Sequence, residues 1–239
     1  MKLKLSSPLK VFNITQSFGN KNPKLYGSMG HNGIDFQAKH GTPIYATHNG
    51  YASYQIDGKG GHGVVIITDK EYEYIDDKCY FKTIYWHLPD PLKEPKLKSP
   101  FADKTGFTPV KTGDIIGYVD NTGNSIGDHL HFGLKPVLKN EAWGSYYNVE
   151  QINGYFGAID PTPYFDLPQY ILRGISRYGM KDDNVKILQA LLMAHGHKIE
   201  ITGEFNQKTT NTVRLFQKKN GLEIDGIVGK NTWQKLYTF

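Results

Sequence analysis

Between Val11 and Leu138 the chain is a series of short apolar runs cut by glycine, asparagine and proline, and this punctuation restricts the fold more than any other feature. The runs Pro43–Ala46, Gly63–Thr68, Tyr80–Trp86 and Asp114–Val119 are of strand length and bounded by turn residues. Together they predict an antiparallel all-β domain. Leu88–Val110 is rich in proline and lysine and has no periodicity. It reads as a long surface loop, and such a loop in a compact domain is usually functional. Asn140–Asp166 carries aromatics and glycines without a clear period and reads as a further loop packed against the core.

The pattern changes after Pro168. Asp182 and Asp183 can cap a helix in which Val185, Leu188, Leu191 and Leu192 recur at helical spacing, ending near His195-Gly196. Asn206 can cap a second helix carrying Val213, Leu215 and Phe216, closed by the αL-tolerant pair Asn220-Gly221. Asn231–Leu236 forms a short last helix around Trp233. No internal repeat is visible. The expected protein is therefore multi-domain. An all-β antiparallel domain over 1–167 is followed by a linker over 168–178 and a small all-α three-helix domain over 179–239. That last unit, roughly sixty residues, lies near the lower size limit for folding without disulfides or metals.

The formal charge of +5 favours anionic partners. No Lys/Arg-rich run or nucleic-acid motif accompanies it, so nucleic acid is not expected, and a negatively charged cell wall would serve equally well. The one cysteine, Cys79, permits neither an intramolecular disulfide nor a thiolate zinc site. It reads as a half-buried strand thiol. MKLKLSSPLKVFNITQSFG has basic residues but no run of seven or more apolar ones. It does not read as a standard secretory signal, and no stretch is long enough for membrane insertion. The expectation is synthesis in the cytoplasm, or expression without a leader.

Nine histidines give chance many opportunities. His40 and His48 sit in turn-like surroundings and are expected in solvent. His195 and His197 lie at a helix end, where a cation suits the dipole. His62, in Gly60-Gly61-His62-Gly63, is either a hairpin-tip residue or part of a groove wall. His129-Leu130-His131 differs, because side chains two apart on a strand project side by side. In His31-Asn32-Gly33-Ile34-Asp35 the histidine and the carboxylate are four apart, on one face if the chain is extended. Two histidines, a carboxylate and a spare imidazole suit an open hydrolytic zinc site. On spacing alone, that reading and a purely structural one stay open. His87, ending Ile84-Tyr85-Trp86-His87-Leu88, reads by itself as a strand-edge histidine.

Six segments fall in an order that resembles a known family. They are Asn13–Gly19, Gly30–Phe36, Gly41–Ala46, Tyr85–Leu88, Gly113–Gly117 and Asn121–Ser125 through His129–Phe132. Together they are similar to the lysostaphin-type (LytM-like) zinc endopeptidases of bacterial cell walls. The C-terminal segments Val185–Gln189, Gly203–Phe205 with Thr209, Phe216-Gln217 and Leu222 through Trp233 resemble the small peptidoglycan-binding domain of many wall hydrolases. The resemblance implies one zinc ion (Zn2+) per chain held by His31, Asp35 and His131, with His87 and His129 catalytic rather than ligating. It implies a monomer acting on bacterial peptidoglycan, most like a phage endolysin made in the infected host and released at lysis. A catalytically inactive wall-binding or regulatory protein on the same fold is the alternative. Asp120 stands where the family often has glycine, Trp86 replaces a commonly small residue, and the Leu88–Val110 loop is longer than usual. These departures touch substrate preference and none of the ligands.

Overall fold

The computed structural model describes residues 1–21, 30–140, 145–149, 153, 155–166 and 174–238. They form two compact units, Met1–Phe12 with Ser17–Asp166 and Asn13–Gln16 with Leu167–Phe239. Residues 168–173 of the expected linker lie outside the described residues. The short strand β1 (Ile14–Gln16) counts with the second unit, where the Ile14 carbonyl accepts the Ile175 N–H at 3.0 Å.

The first unit is built on an antiparallel sheet. Its strands in chain order are β2 (Ile34–Gln37), β3 (Pro43–Tyr45), β4 (Gly50–Ile56), β5 (His62–Thr68), β6 (Tyr72–Tyr74) and β7 (Asp77–Leu88), then β8 (Thr108–Val110), β9 (Ile115–Tyr118), β10 (His129–Asn140) and β11 (Ser145–Asn148). Across the main sheet the order is β2–β10–β7–β5–β4–β8, with β11 beside β10 and β6 beside β7, while β3 and β9 pair separately. Every run predicted from the sequence as a strand lies on one of these.

The two long strands β7 and β10 pair from His131↔Trp86 to Val137↔Tyr80 and carry the logic of the fold. Along β7, Cys79, Phe81, Thr83 and Tyr85 are buried, while Tyr80, Lys82, Ile84 and Trp86 between them are half-exposed. The pleat thus separates a core face from an open face. On the core face Phe12 meets Phe36 edge-on at 4.7 Å and Phe165 at 4.9 Å, and Tyr85 meets Phe132 at 5.2 Å. Each such ring, fully buried, contributes about 2–3 kcal/mol from area alone. By register His131, Gly133 and Lys135 of β10 share the other face with Trp86, Ile84 and Lys82.

Three loop expectations change. Leu88–Val110 is not a bare surface loop: Phe101 is buried, Ser99 Oγ donates to the Ile116 carbonyl at 2.7 Å, and β8 at its end pairs with β4. Strand pairing overrides proline here because β8 sits at the sheet edge, where a missing donor costs nothing. Within Asn140–Asp166, much of which lies outside the described residues, β11 turns back on β10 as a hairpin partner. His48 is buried rather than exposed. Its Nδ1–H goes to the Asn49 carbonyl at 2.8 Å and its Nε2 meets Thr83 Oγ1 at 2.9 Å, in a network that includes Tyr85 and Thr47. Burial pushes His48 down to about 4, so it is neutral at pH 7.

Among the described residues the second unit has three helices, α1 (Asp183–Ala194), α2 (Gln207–Lys219) and α3 (Lys230–Leu236). Asp182 and Asn206 cap the first two as their sequence positions imply, accepting from Val185 N–H at 2.9 Å and Thr209 N–H at 3.0 Å. Val185, Leu188, Leu192, Phe205, Val213, Phe216 and Trp233 form the core.

Candidate metal and catalytic site

The site is assembled where β2 meets β10. In that pairing Asp35 stands directly opposite His131, and Gln37 opposite His129. Strand alternation alone therefore puts Asp35, His129 and His131 on one face. His31 arrives differently, from the turn before β2, so extended spacing does not explain its placement. Gly30, at φ +83°, supplies a left-handed conformation that turns the chain into the site.

Three donor atoms converge. His31 Nε2 lies 3.0 Å from His131 Nδ1 and 3.1 Å from Asp35 Oδ1, and His131 Nδ1 lies 3.0 Å from Asp35 Oδ1. Burial alone would raise the Asp35 carboxyl, but its hydrogen bonds and charge interactions with His131 and His31 hold it well below the usual carboxylate range. Burial lowers His131, so both anion and neutral imidazole, the forms a metal needs, are favoured. The Nδ1 of His31 faces the Ser17 carbonyl at 3.1 Å. A carbonyl only accepts, so Nδ1 carries the hydrogen and Nε2 presents its lone pair to the cluster.

Chemistry and dimensions fit a divalent cation. Neighbouring ligand atoms of a tetrahedron with zinc-like bonds are separated by roughly 3.3 Å, close to this triangle. Gly33 permits it: a Cβ there would fall 2.5 Å from the Phe132 carbonyl and 2.7 Å from His131 Cε1.

Two further histidines flank the cluster. His129 Nε2 is 3.8 Å from Asp35 Oδ1, and its Nδ1–H is given to the Gly127 carbonyl at 2.7 Å. The His87 ring is centred 4.5 Å from that of His129, with Nδ1–H given to the Thr122 carbonyl at 2.7 Å. His87 is a bulge residue with φ +69°: His62 pairs with Leu88 but Gly63 with Trp86, and the extra residue turns toward the site. Burial pushes His87 down to about 4, with repulsion from His129 and His131 adding to it. All five residues singled out from the sequence are thus brought together.

Sequence reading missed Thr122 and left His62 open between a hairpin tip and a groove wall. Thr122 Oγ1 donates to the Leu88 carbonyl at 2.5 Å and accepts the His62 N–H at 3.1 Å, clamping both sides of the bulge. His62 opens β5, buried against Tyr54 Oη at 2.6 Å, rather than standing at a hairpin tip. His40 is largely exposed, as expected, but it bridges Glu94 Oε2 at 2.9 Å and Asp120 Oδ1 at 3.1 Å. That contact raises His40 and ties the 88–110 segment beside the site. His195 Nε2 meets the Leu236 carbonyl at 2.9 Å, a structural role.

His31, Asp35 and His131 thus form a group that could hold a metal ion, with the imidazoles of His129 and His87 beside it. Residues 29–143 match the model described as "Peptidase family M23", and residues 181–236 that described as "Putative peptidoglycan binding domain". The chain carries a peptidase family M23 catalytic domain followed by a C-terminal peptidoglycan-binding domain. Among curated proteins it is 32% identical over 126 residues to the DD-carboxypeptidase/endopeptidase Mpg of Neisseria meningitidis, covering 52% of this chain and 25% of that protein. It is 34% identical over 105 residues to an uncharacterized metalloprotease of Haemophilus influenzae, covering 43% and 18%. The chain thus spans about a quarter or less of the length of these relatives. Among solved structures, the catalytic domain of the antimicrobial peptidase lysostaphin from Staphylococcus simulans is 22% identical, with a TM-score of 0.44 and coverage of 64% and 91%. The catalytic domain of a mutant of the prophage-encoded M23 protein EnpA from Enterococcus faecalis is 28% identical, with a TM-score of 0.36 and coverage of 60% and 93%.

Proposed function

We propose that the chain is a zinc-dependent endopeptidase that hydrolyses peptide bonds of bacterial peptidoglycan, in stem-peptide cross-links or interpeptide bridges. The observation that carries this reading is the triangle of donor atoms from His31, Asp35 and His131 with the unligated rings of His129 and His87 beside it. Bound there, zinc would supply Lewis acidity toward a carbonyl and make water nucleophilic near neutral pH.

The chain's own groups then divide the work. His129, its Nδ1–H held by the Gly127 carbonyl, offers Nε2 as the general base for the attacking water and returns that proton to the leaving amine. A catalytic His87 could stabilise the developing oxyanion only by donating a hydrogen from Nε2. Its Nδ1–H, however, is committed to the Thr122 carbonyl, and the ring is neutral at pH 7. Its Nε2 is therefore an acceptor, suited to fixing the second hydrogen of the attacking water rather than to stabilising negative charge.

The peptidoglycan-binding domain supports action on an insoluble wall, where attachment raises the local concentration of the catalytic unit. Bacteriolytic action, as an endolysin working as a monomer, belongs to the same proposal. His131→Ala should abolish both zinc retention, measured by elemental analysis, and wall lysis. His129→Ala should keep zinc and lose turnover by about 10²–10⁴-fold. Full activity in either variant refutes these assignments.

A further inference from the structure

The open face of the sheet extends well beyond the metal site. Going along β10 from His131, the next residues on that face are Gly133 and Lys135, and across from them on β7 lie Trp86, Ile84 and Lys82. Lys82 and Lys135 are direct cross-strand partners. Both are half-buried, and among the described residues neither ammonium has a carboxylate partner; Lys135 Nζ donates only to the Phe156 carbonyl. Like charges placed directly opposite each other destabilise a sheet. Two ammonium groups in this position are expensive unless something anionic answers them. Burial lowers Lys82, and burial together with the Lys82 charge pushes Lys135 down to about 8. The Phe156 contact gives Lys135 a structural tie but leaves its charge unanswered, and Lys82 makes no ion pair among the described residues.

We propose that Lys82 and Lys135 form an anion subsite that receives a carboxylate of the peptide substrate while its scissile bond lies at the metal site. This rests on the peptidase reading above and deepens it. Four residues along β10 separate His131 from Lys135, about 13 Å at strand rise. An extended peptide covers that distance in roughly four residues, over a floor of Trp86, Gly133 and Ile84. Gly133 adds no side chain of its own to that floor, and the space a Cβ there would take lies 3.5 Å from Ile84 Cβ. Two cross-strand ammonium groups stand about 5 Å apart at Cβ, a separation that lets one carboxylate take a hydrogen bond from each. Peptidoglycan stem peptides supply such groups as chain ends and acidic residues. A phosphate of a wall polymer would satisfy the charge but not the placement, which lines up with the cleavage site along one strand.

The test uses the full-length zinc-loaded protein and soluble cross-linked peptides whose free carboxylates are amidated one at a time. In the wild type, amidation at one position should lower kcat/KM about tenfold or more, mainly through KM. In the Lys82→Met/Lys135→Met double variant the carboxylate-to-amide ratio should fall to about one, and in Lys82→Arg/Lys135→Arg it should persist. Thermal melting checks that the Met variant is folded, and loss of the like-charge pair should not lower its midpoint. Fluorescence anisotropy of the same labelled peptides measures the subsite without catalysis. Carboxylate-dependent binding without cleavage leaves the subsite standing and removes the peptidase reading. An unchanged ratio in the double Met variant overturns the subsite, as does indifference of the wild type to every amidation. Competition by poly(glycerol phosphate) but by no peptide carboxylate overturns it too.

Discussion

The two units solve the same problem, satisfying polar atoms away from water, over very different distances along the chain. In the sheet unit His31 and His131, which meet at 3.0 Å, are 100 residues apart. In the helical unit Gln189 reaches Thr209 Oγ1 at 3.0 Å across 20 residues, and Gln217 reaches Thr232 Oγ1 at 3.4 Å across 15. The two glutamines play matching roles. Gln189 Oε1 accepts the Gly203 N–H and its amide donates to the Glu204 carbonyl, while Gln217 Oε1 accepts the Gly226 N–H and its amide donates to the Ile227 carbonyl. The helical unit thus repeats one device, a helix-borne amide latching a glycine turn, although no repeat is visible in its sequence. Local closure suits a small binding module. Distant closure suits a site whose donor atoms must come from separate strands.

The largest effect expected from breaking this contrast is at Gly33. Gly33→Ala places a methyl group against the Phe132 carbonyl and the His131 ring, so one of them must move. Because catalytic geometry fails with displacements near 1 Å, activity should fall by about 10²-fold or more while the sheet stays folded. Isothermal titration with zinc and circular dichroism, run side by side, check this; wild-type zinc affinity would show that the approach is not limiting. Next comes Trp233→Ala, which empties the centre of the helical core and removes the indole donor to the Gly174 carbonyl at 2.8 Å. The expected cost is about 3–5 kcal/mol, enough to unfold a module of this size. Calorimetry should show one transition lost or lowered and the sheet transition kept, and a common shift of both would mean that the units do not melt independently.

The smallest effect sharpens the comparison through pH. His48 is protonated near 6.5 when unfolded and only near 4 when folded, because burial opposes its charge. Its contribution to stability is therefore fully present above 6.5 and is lost as pH falls through this window toward 4, by at most about 3 kcal/mol. Urea midpoints of the sheet unit at pH 7 and pH 4.5 should differ less in His48→Gln than in the wild type. Equal pH dependence in the two proteins would remove His48 as the cause.

Local rules carried the helical unit. The caps at Asp182 and Asn206, the periodic apolar positions and the Asn220-Gly221 stop are all interactions within a turn or two of helix, so their sequence spacing is their geometry. For the same reason His129 and His131 could be read as neighbours, since alternation on one strand is a local property. His48 could not be read, because its turn-like neighbours Asn49 and Gly50 say nothing of the β7 residue Thr83 that receives it. The tautomer of His87 was equally hidden, since the Thr122 carbonyl that fixes it lies 35 residues away.

By itself, the sequence determined the all-β and all-α division, several of the strands, the three helices and five candidate site residues, because each depends on periodicity, capping or ordered motifs along the chain. Only the tertiary structure decided that Asp35 faces His131, that Thr122 clamps the His87 bulge, and that Lys82 opposes Lys135 on the metal-site face. Those are questions of strand register, and register is settled by the packing of the whole sheet rather than by any segment of it.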